Sequence, residues 1–217
     1  MAVGFGGATR YEASFGAITA YPISLFVVAR NSSTTVEAYP LQYSLTPGGS
    51  DRNMTLGFRG DVVSDPVEIR RGNAASTTTV ARAGTFLANT YINIGGSSAS
   101  TTVYACYANG VKVSGAATVT TFPAAASPVV LLGAFVDVNT YSAFLNGGAF
   151  RAAIWNAALT DDEMISLARG FSPRRIRPQS LKFYAPLIRT VQDLIGAIAF
   201  TATNAVAAVD SPRAYGQ

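Results

Sequence analysis

Short runs of β-branched and aromatic residues, each closed by turn formers, recur along almost the whole chain. Ile23-Ser24-Leu25-Phe26-Val27-Val28-Ala29 reads as a strand buried on both faces and stops at Arg30-Asn31-Ser32. Residues 41–45, 54–59 and 67–70 alternate apolar with polar side chains. Each of these runs therefore turns one face to a core and the other to solvent or a partner. Further strands are predicted at 91–94, 117–122, 128–135 and 149–155. The sharpest signal is Val103-Tyr104-Ala105-Cys106-Tyr107, then Asn109-Gly110, then Val111-Lys112-Val113. Asn-Gly supplies the two positive-φ positions of a type I′ turn, whose twist suits a hairpin. Many short strands at this spacing imply an all-β sandwich or barrel. A chain of 217 residues is long enough to close one such domain around a sizeable core.

One helix stands out, near 161–169. Thr160-Asp161-Asp162-Glu163 is a capping box, in which hydroxyl and carboxylate each satisfy the other residue's backbone. Met164, Ile165, Leu167 and Ala168 give the helix an apolar face, and Gly170 is placed to end it in a left-handed conformation. The three acids complement the positive end of the helix and are read as that, not as an acid–base cluster.

Composition excludes several chemistries. The chain has no histidine, so His-based nucleophilic pairs and His-ligated zinc are impossible. Cys106 is the single cysteine, which excludes an internal disulfide. Charged residues make up only 13%, which points to a surface largely covered in an assembly. The net charge of +4 comes with arginines that are scattered except for Arg174, Arg175 and Arg177, too few for a nucleic-acid stripe. These three, in the connector 171–180, are the candidate protein interface. Residues 113–136 carry no charge, but Gly115, Pro123 and Pro128 interrupt them, so no membrane insertion is expected. No targeting segment is read at the start of the chain.

The stretch Tyr104 to Val113 resembles the "YvNGvlv" hairpin of laminin-G-like, concanavalin A-like jelly rolls. Val130-Leu131-Leu132-Gly133 is similar to that family's "l.iG" strand, and Phe150 through Trp155 to Met164 to its strand-then-helix motif. The three motifs occur in family order and span roughly residues 20–170. Met1 to Tyr11 looks like the family's second strand, while 181–209 looks like its opening segment. The resemblance therefore implies one domain over 1–217, a sandwich of two antiparallel sheets, circularly permuted so that its last strands close the sheet the first residues enter.

With its GFSPRRIRP connector the chain also resembles laminin-G-like proteins of tailed-phage and prophage virions. That likeness implies a non-catalytic virion structural protein, assembled in the host cytoplasm and docking on capsid or accessory subunits, with self-association as a further partner choice. The alternative is a lectin-like module in a tail or head fibre that binds a host-surface glycan. Glucanases of the superfamily carry E-x-D-x-E on one strand; here Glu12, Glu37 and Glu68 are isolated, and no catalytic residue, cofactor or metal is assigned. Asp137 and Asn139, with Asp51 and Asp61 as alternatives, fall short of a calcium ligand series and are read as turn residues. Tyr11, Tyr39, Tyr91, Tyr141 and Trp155 are the aromatics available to a sugar, with Trp155 assigned to packing. Nothing in the sequence gathers them into a pocket.

Overall fold

The computed structural model describes residues 2–15, 18–44, 53–72, 78–116, 128–137, 140–188 and 191–204. Among these residues sixteen strands, numbered in chain order, form a jelly-roll sandwich. In sheet I, β1 (Val3–Phe5) and β15 (Leu181–Ala185) share one edge of β14 (Gly147–Trp155). Beyond β14 follow β3 (Ile23–Asn31), β8 (Ile92–Ser98), β9 (Tyr104–Ala108) and β10 (Val111–Ser114). Sheet II runs β16 (Thr201–Thr203), β2 (Arg10–Ser14), β11 (Val129–Leu132), β4 (Glu37–Ser44), β5 (Asn53–Arg59), β6 (Val67–Gly72) and β7 (Thr78–Ala83). A separate hairpin, β12 (Phe135–Asp137) and β13 (Thr140–Ser142), leaves sheet II after β11. Every pairing is antiparallel.

The doubly buried strand is seen in β3. Ile23, Leu25, Val27 and Ala29 enter the core between the sheets. Phe26 and Val28 point the other way, into a second core with Trp155, Met164 and Leu167. Alternation alone would leave that outer face wet. Helix α1 (Asp161–Ala168) covers it, and its ends form as its sequence demands. Thr160 Oγ1 accepts from the Glu163 N–H, and Glu163 Oε2 accepts from the Thr160 N–H at 2.7 Å. Gly170 takes φ 97°, with its N–H on the Leu167 carbonyl and that of Phe171 on Ser166, which closes the helix in a Schellman motif. In the β9–β10 hairpin, Asn109 and Gly110 have φ 50° and 83°, as a type I′ turn requires.

Two sequence expectations are corrected. Residues 1–11 are not one strand: Gly6 and Gly7 turn the chain from β1 in sheet I to β2 in sheet II, and the Thr9 N–H closes that turn on the Gly6 carbonyl at 2.7 Å. Residues 128–135 break at Gly133, φ 84°, where an added Cβ would fall 2.2 Å from the Phe5 ring, so β11 ends there and β12 departs. Strand β7, not anticipated, extends sheet II beyond β6. The strand expected at 117–122 lies outside the described residues.

At one end of the sandwich an arginine faces inward. Arg71, 1% exposed, lies with its guanidinium carbon 3.8 Å from the centre of the Tyr104 ring. It donates to Ser98 Oγ at 2.8 Å and to the carbonyls of Ser100 and Thr101, which satisfies most of its donors without a carboxylate. Burial lowers its pKa from the ordinary guanidinium value.

Both ends of the described chain complete the sheets. Val3 pairs with Ala149, Phe183 with Ile154, and Ala202 with Tyr11. Phe183 and Leu187 are fully buried. Removing residues 181–217 strips both sheets of an edge. Losing a buried Phe alone costs about 3–5 kcal/mol, against a typical total stability of about 5–15 kcal/mol. The 1–180 fragment should therefore show no cooperative thermal transition and should bind a hydrophobic dye. A sharp melt would show that the sandwich closes without these strands.

Candidate functional site

The outer face of sheet I is occupied by α1. The outer face of sheet II is open, and the β12–β13 hairpin lies across it. Gln42 fixes the hairpin there: its Nε2 donates to the Val136 carbonyl at 3.0 Å, and its Oε1 accepts from the Val136 N–H at 2.9 Å. A side-chain amide thus completes the backbone hydrogen bonding of a strand that does not join the sheet.

On one side of the hairpin, alternation along β2 sends Tyr11 and Ala13 inward and Arg10, Glu12 and Ser14 outward. Tyr141 of β13 comes over them. The Arg10 guanidinium lies 3.7 Å from the centre of its ring, and the Tyr141 hydroxyl donates to Glu12 Oε2 at 2.5 Å. Burial, and then Glu12, push the Tyr141 phenol above its ordinary pKa, so it stays a donor. Arg10 makes no ion pair among the described residues, and its Nε is buried without a hydrogen-bond partner. In β16, Thr203 pairs with Arg10 and Thr201 with Glu12, which sets both hydroxyls on the same outer face. Arg10, Glu12, Ser14, Thr201, Thr203 and Ile198 line a cleft of about 560 Å³.

The other side of the hairpin holds a closed network. Carboxylates read as isolated in the sequence meet here, because β4, β5 and β6 are adjacent. Arg59 grips Asp61 at 2.8 and 2.6 Å and both oxygens of Glu68 at 3.0 Å, while Arg82 adds a contact to Glu68 at 3.1 Å. The Tyr39 hydroxyl lies 3.1 Å from Glu68 and 3.2 Å from Glu37. Its ring lies against β5 where only Gly57 fits, since an added Cβ would come within 2.5 Å of the ring. Arg59 holds Asp61 below the usual carboxylate range. Glu68 is fully buried and meets two guanidiniums, so it is a structural anion, not an acid facing a cleft.

A second cleft of about 820 Å³ lies between β9–β10 and the start of α1. Lys112 and Asp161, two of the three charges in its lining, are spent on one another, and Asp162 stands exposed beside them. Lys112 Nζ is 2.9 and 3.3 Å from the Asp161 carboxylate, and the Tyr107 hydroxyl donates to Asp161 at 2.8 Å. Lys112, and then Tyr107, keep Asp161 below its ordinary value. Asp161 therefore ties the helix start to the hairpin in addition to placing a negative charge at the positive end of the helix. The smaller cleft is the one where a guanidinium, that of Arg10, has no carboxylate partner among the described residues.

The remaining sequence candidates are dispersed. Arg174 and Arg175 are exposed on a 3₁₀ turn (Pro173–Arg175) whose cap is Ser172. Arg177 is drawn away from them onto Glu163 at 2.6 Å. Tyr11 and Tyr39 are buried, and Trp155 is buried with its indole N–H on the Ile176 carbonyl at 2.8 Å. Tyr91 stacks edge-on against Phe150. Asp61 is taken by Arg59, Asp51 and Asn139 lie outside the described residues, and Asp137 is described in its backbone only. Among the described residues no three His, Cys, Asp or Glu side chains group to hold a metal, and no helix is long and apolar enough to cross a membrane. Burial pushes the Cys106 thiol up to about 12. Of the aromatics proposed for a sugar, Tyr141 is the one the fold joins to an arginine and a carboxylate at a cleft. Its partners lie on β2, far away in sequence, and no local pattern marks them.

No protein-family model matches the chain, and no curated protein matches it. Solved structures do resemble it. A native heptameric SAP-like pentraxin from Limulus polyphemus superposes with a TM-score of 0.66 at 11% identity, over 95% of this chain and 94% of that one. A protein from Bacteroides ovatus for which carbohydrate binding has been suggested gives 0.63 at 14% identity; it covers 98% of this chain, which spans 62% of that one. The CBM40 domain of Ruminococcus gnavus IT-sialidase, bound to α2,3-sialyllactose, gives 0.61 at 14% identity over 77% of this chain and 95% of that one. At these identities the likeness establishes the fold, a jelly-roll sandwich.

The dependence of the site on Gln42 can be measured. Gln42→Leu keeps the volume but leaves the buried Val136 N–H and C=O unpaired, at about 1–3 kcal/mol each. Chemical denaturation should show a loss of about 2 kcal/mol or more, and the Tyr141 phenol should titrate closer to its ordinary range. An unchanged stability would mean that the hairpin is held by other contacts.

Proposed function

We propose that this chain is a non-catalytic carbohydrate-binding module whose ligand occupies the cleft over the outer face of β2 and β16. The observation that carries the reading is Arg10: a guanidinium stacked on Tyr141, beside Glu12, facing threonine hydroxyls, and without a carboxylate partner among the described residues. Sugars need donors and acceptors held in fixed directions at a partly apolar surface, and small-molecule sites commonly measure about 300–1,000 Å³. A cleft of 560 Å³ with Arg10, Glu12, Thr201 and Ile198 meets both demands. The lectin-type neighbours support the same choice. A glycan array should show selective, saturable binding by the purified protein. Arg10→Ala should weaken it about tenfold or more, the worth of a hydrogen bond from a charged group. Absence of binding to any glycan, or full affinity in the Arg10→Ala variant, would overturn the reading.

A second reading, docking on neighbouring subunits of a virion, is supported by a different surface. Phe171 is 52% exposed beside Arg174 and Arg175 on a turn stiffened by the buried Pro173. Arginines presented this way suit bidentate pairing with a partner's carboxylates. Replacing Arg174 and Arg175 together by Glu should weaken co-assembly in a salt-dependent manner and leave the melting temperature within about 2 °C. Unchanged incorporation into particles would remove this surface from consideration.

A further inference from the structure

We infer that the β2–β16 cleft takes a neutral sugar through two adjacent hydroxyls and turns away sugars that carry a carboxylate. The inference rests on the carbohydrate-binding reading and specifies its ligand. Arg10 and Glu12 lie two residues apart on one face of β2, so both side chains reach the same cleft. Among the described residues they are the only charged ones in its lining, and their charges cancel. The Arg10 guanidinium lies over the Tyr141 ring with its carbon 3.7 Å from the ring centre and its Nε buried, which leaves its terminal N–H donors as the part able to meet a ligand. Glu12 gives Oε2 to the Tyr141 hydroxyl, and Oε1 has no partner among the described residues. One fork of donors beside one free acceptor matches a vicinal diol, in which one oxygen accepts from Arg10 while the neighbouring O–H donates to Glu12. Thr201 and Thr203 stand opposite on β16 with hydroxyls that serve either role. Ile198 and Ala199 provide apolar surface for the C–H face of the ring.

A carboxylate-bearing sugar meets the opposite situation. Drawn to Arg10, its anion must settle beside Glu12, and like charges brought together in a partly desolvated site cost several kcal/mol, each 1.4 kcal/mol being tenfold in affinity. Among the described residues no second cation lines the cleft to offset that cost.

The test is an array of matched neutral and acidic glycans, including lactose against α2,3-sialyllactose and xylo-oligosaccharides against their glucuronic-acid-bearing forms, followed by calorimetric titration of the best pair. The wild-type protein should favour the neutral member by about tenfold or more. In Glu12→Gln that ratio should shrink to within about threefold, with folding checked by thermal melting. Preference for the acidic member in the wild-type protein overturns the inference and leaves carbohydrate binding intact. Binding to no glycan at all overturns the carbohydrate reading itself. A neutral preference that persists in folded Glu12→Gln would show that Glu12 does not set it.

Discussion

A single side-chain amide decides what the open face of this sandwich presents. Gln42 lies on the outer face of β4, fully buried, and pairs through both ends of its amide with the backbone of Val136. An unpaired Gln at that depth would be costly, and so would the bare N–H and C=O of Val136; together they cancel both costs. The hairpin is thereby pinned in one register over sheet II. Phe135 falls on the Tyr39 and Arg70 side and Tyr141 on the Arg10 side. The closed ion network and the open cleft are the two halves of that division.

The sandwich spends its two outer faces differently. Sheet I buries Phe26, Val28, Tyr107 and Trp155 under α1, a second hydrophobic layer that stabilises the fold and leaves little for recognition. Sheet II carries charge on its outer face, and most of that charge is matched internally around Glu68. Arg10 is the exception. Among the described residues its guanidinium has no carboxylate, a local departure from the pairing seen around Glu68 in a chain where only 13% of residues are charged, and such departures mark candidate binding sites.

How much was legible in the sequence follows from how local each feature is. The Asn109-Gly110 turn, the Thr160–Glu163 capping box and the Gly170 stop are written within a few residues, and each formed as its local chemistry requires. The doubly buried β3 was legible because its apolar run needs two cores, although nothing in it says that a helix supplies the second. Strand β7 escaped notice because the core side of Thr79-Val80-Ala81-Arg82-Ala83 is built from Ala and Thr, too small for a clear apolar alternation. The meeting of Arg10 with Tyr141, and of Glu37 with Glu68 across Tyr39, depends on which strands become neighbours. Composition and spacing carry no record of that. The three arginines that cluster in sequence are, conversely, split in space, because Arg177 answers the carboxylate of Glu163.

The edge that β1 and β15 share on β14 has a consequence for how the protein is made. During synthesis Val3 emerges long before its partner Ala149, and Tyr11 before Ala202. An edge of β1 and of β2 therefore stays unpaired until residues 147–149 and 201–203 have been made. Such long-range pairing makes folding slow and exposes sheet edges to misassociation. Before the finished fold has any stability to offer, the chain must pass through a state in which these two edges are open to the wrong partner.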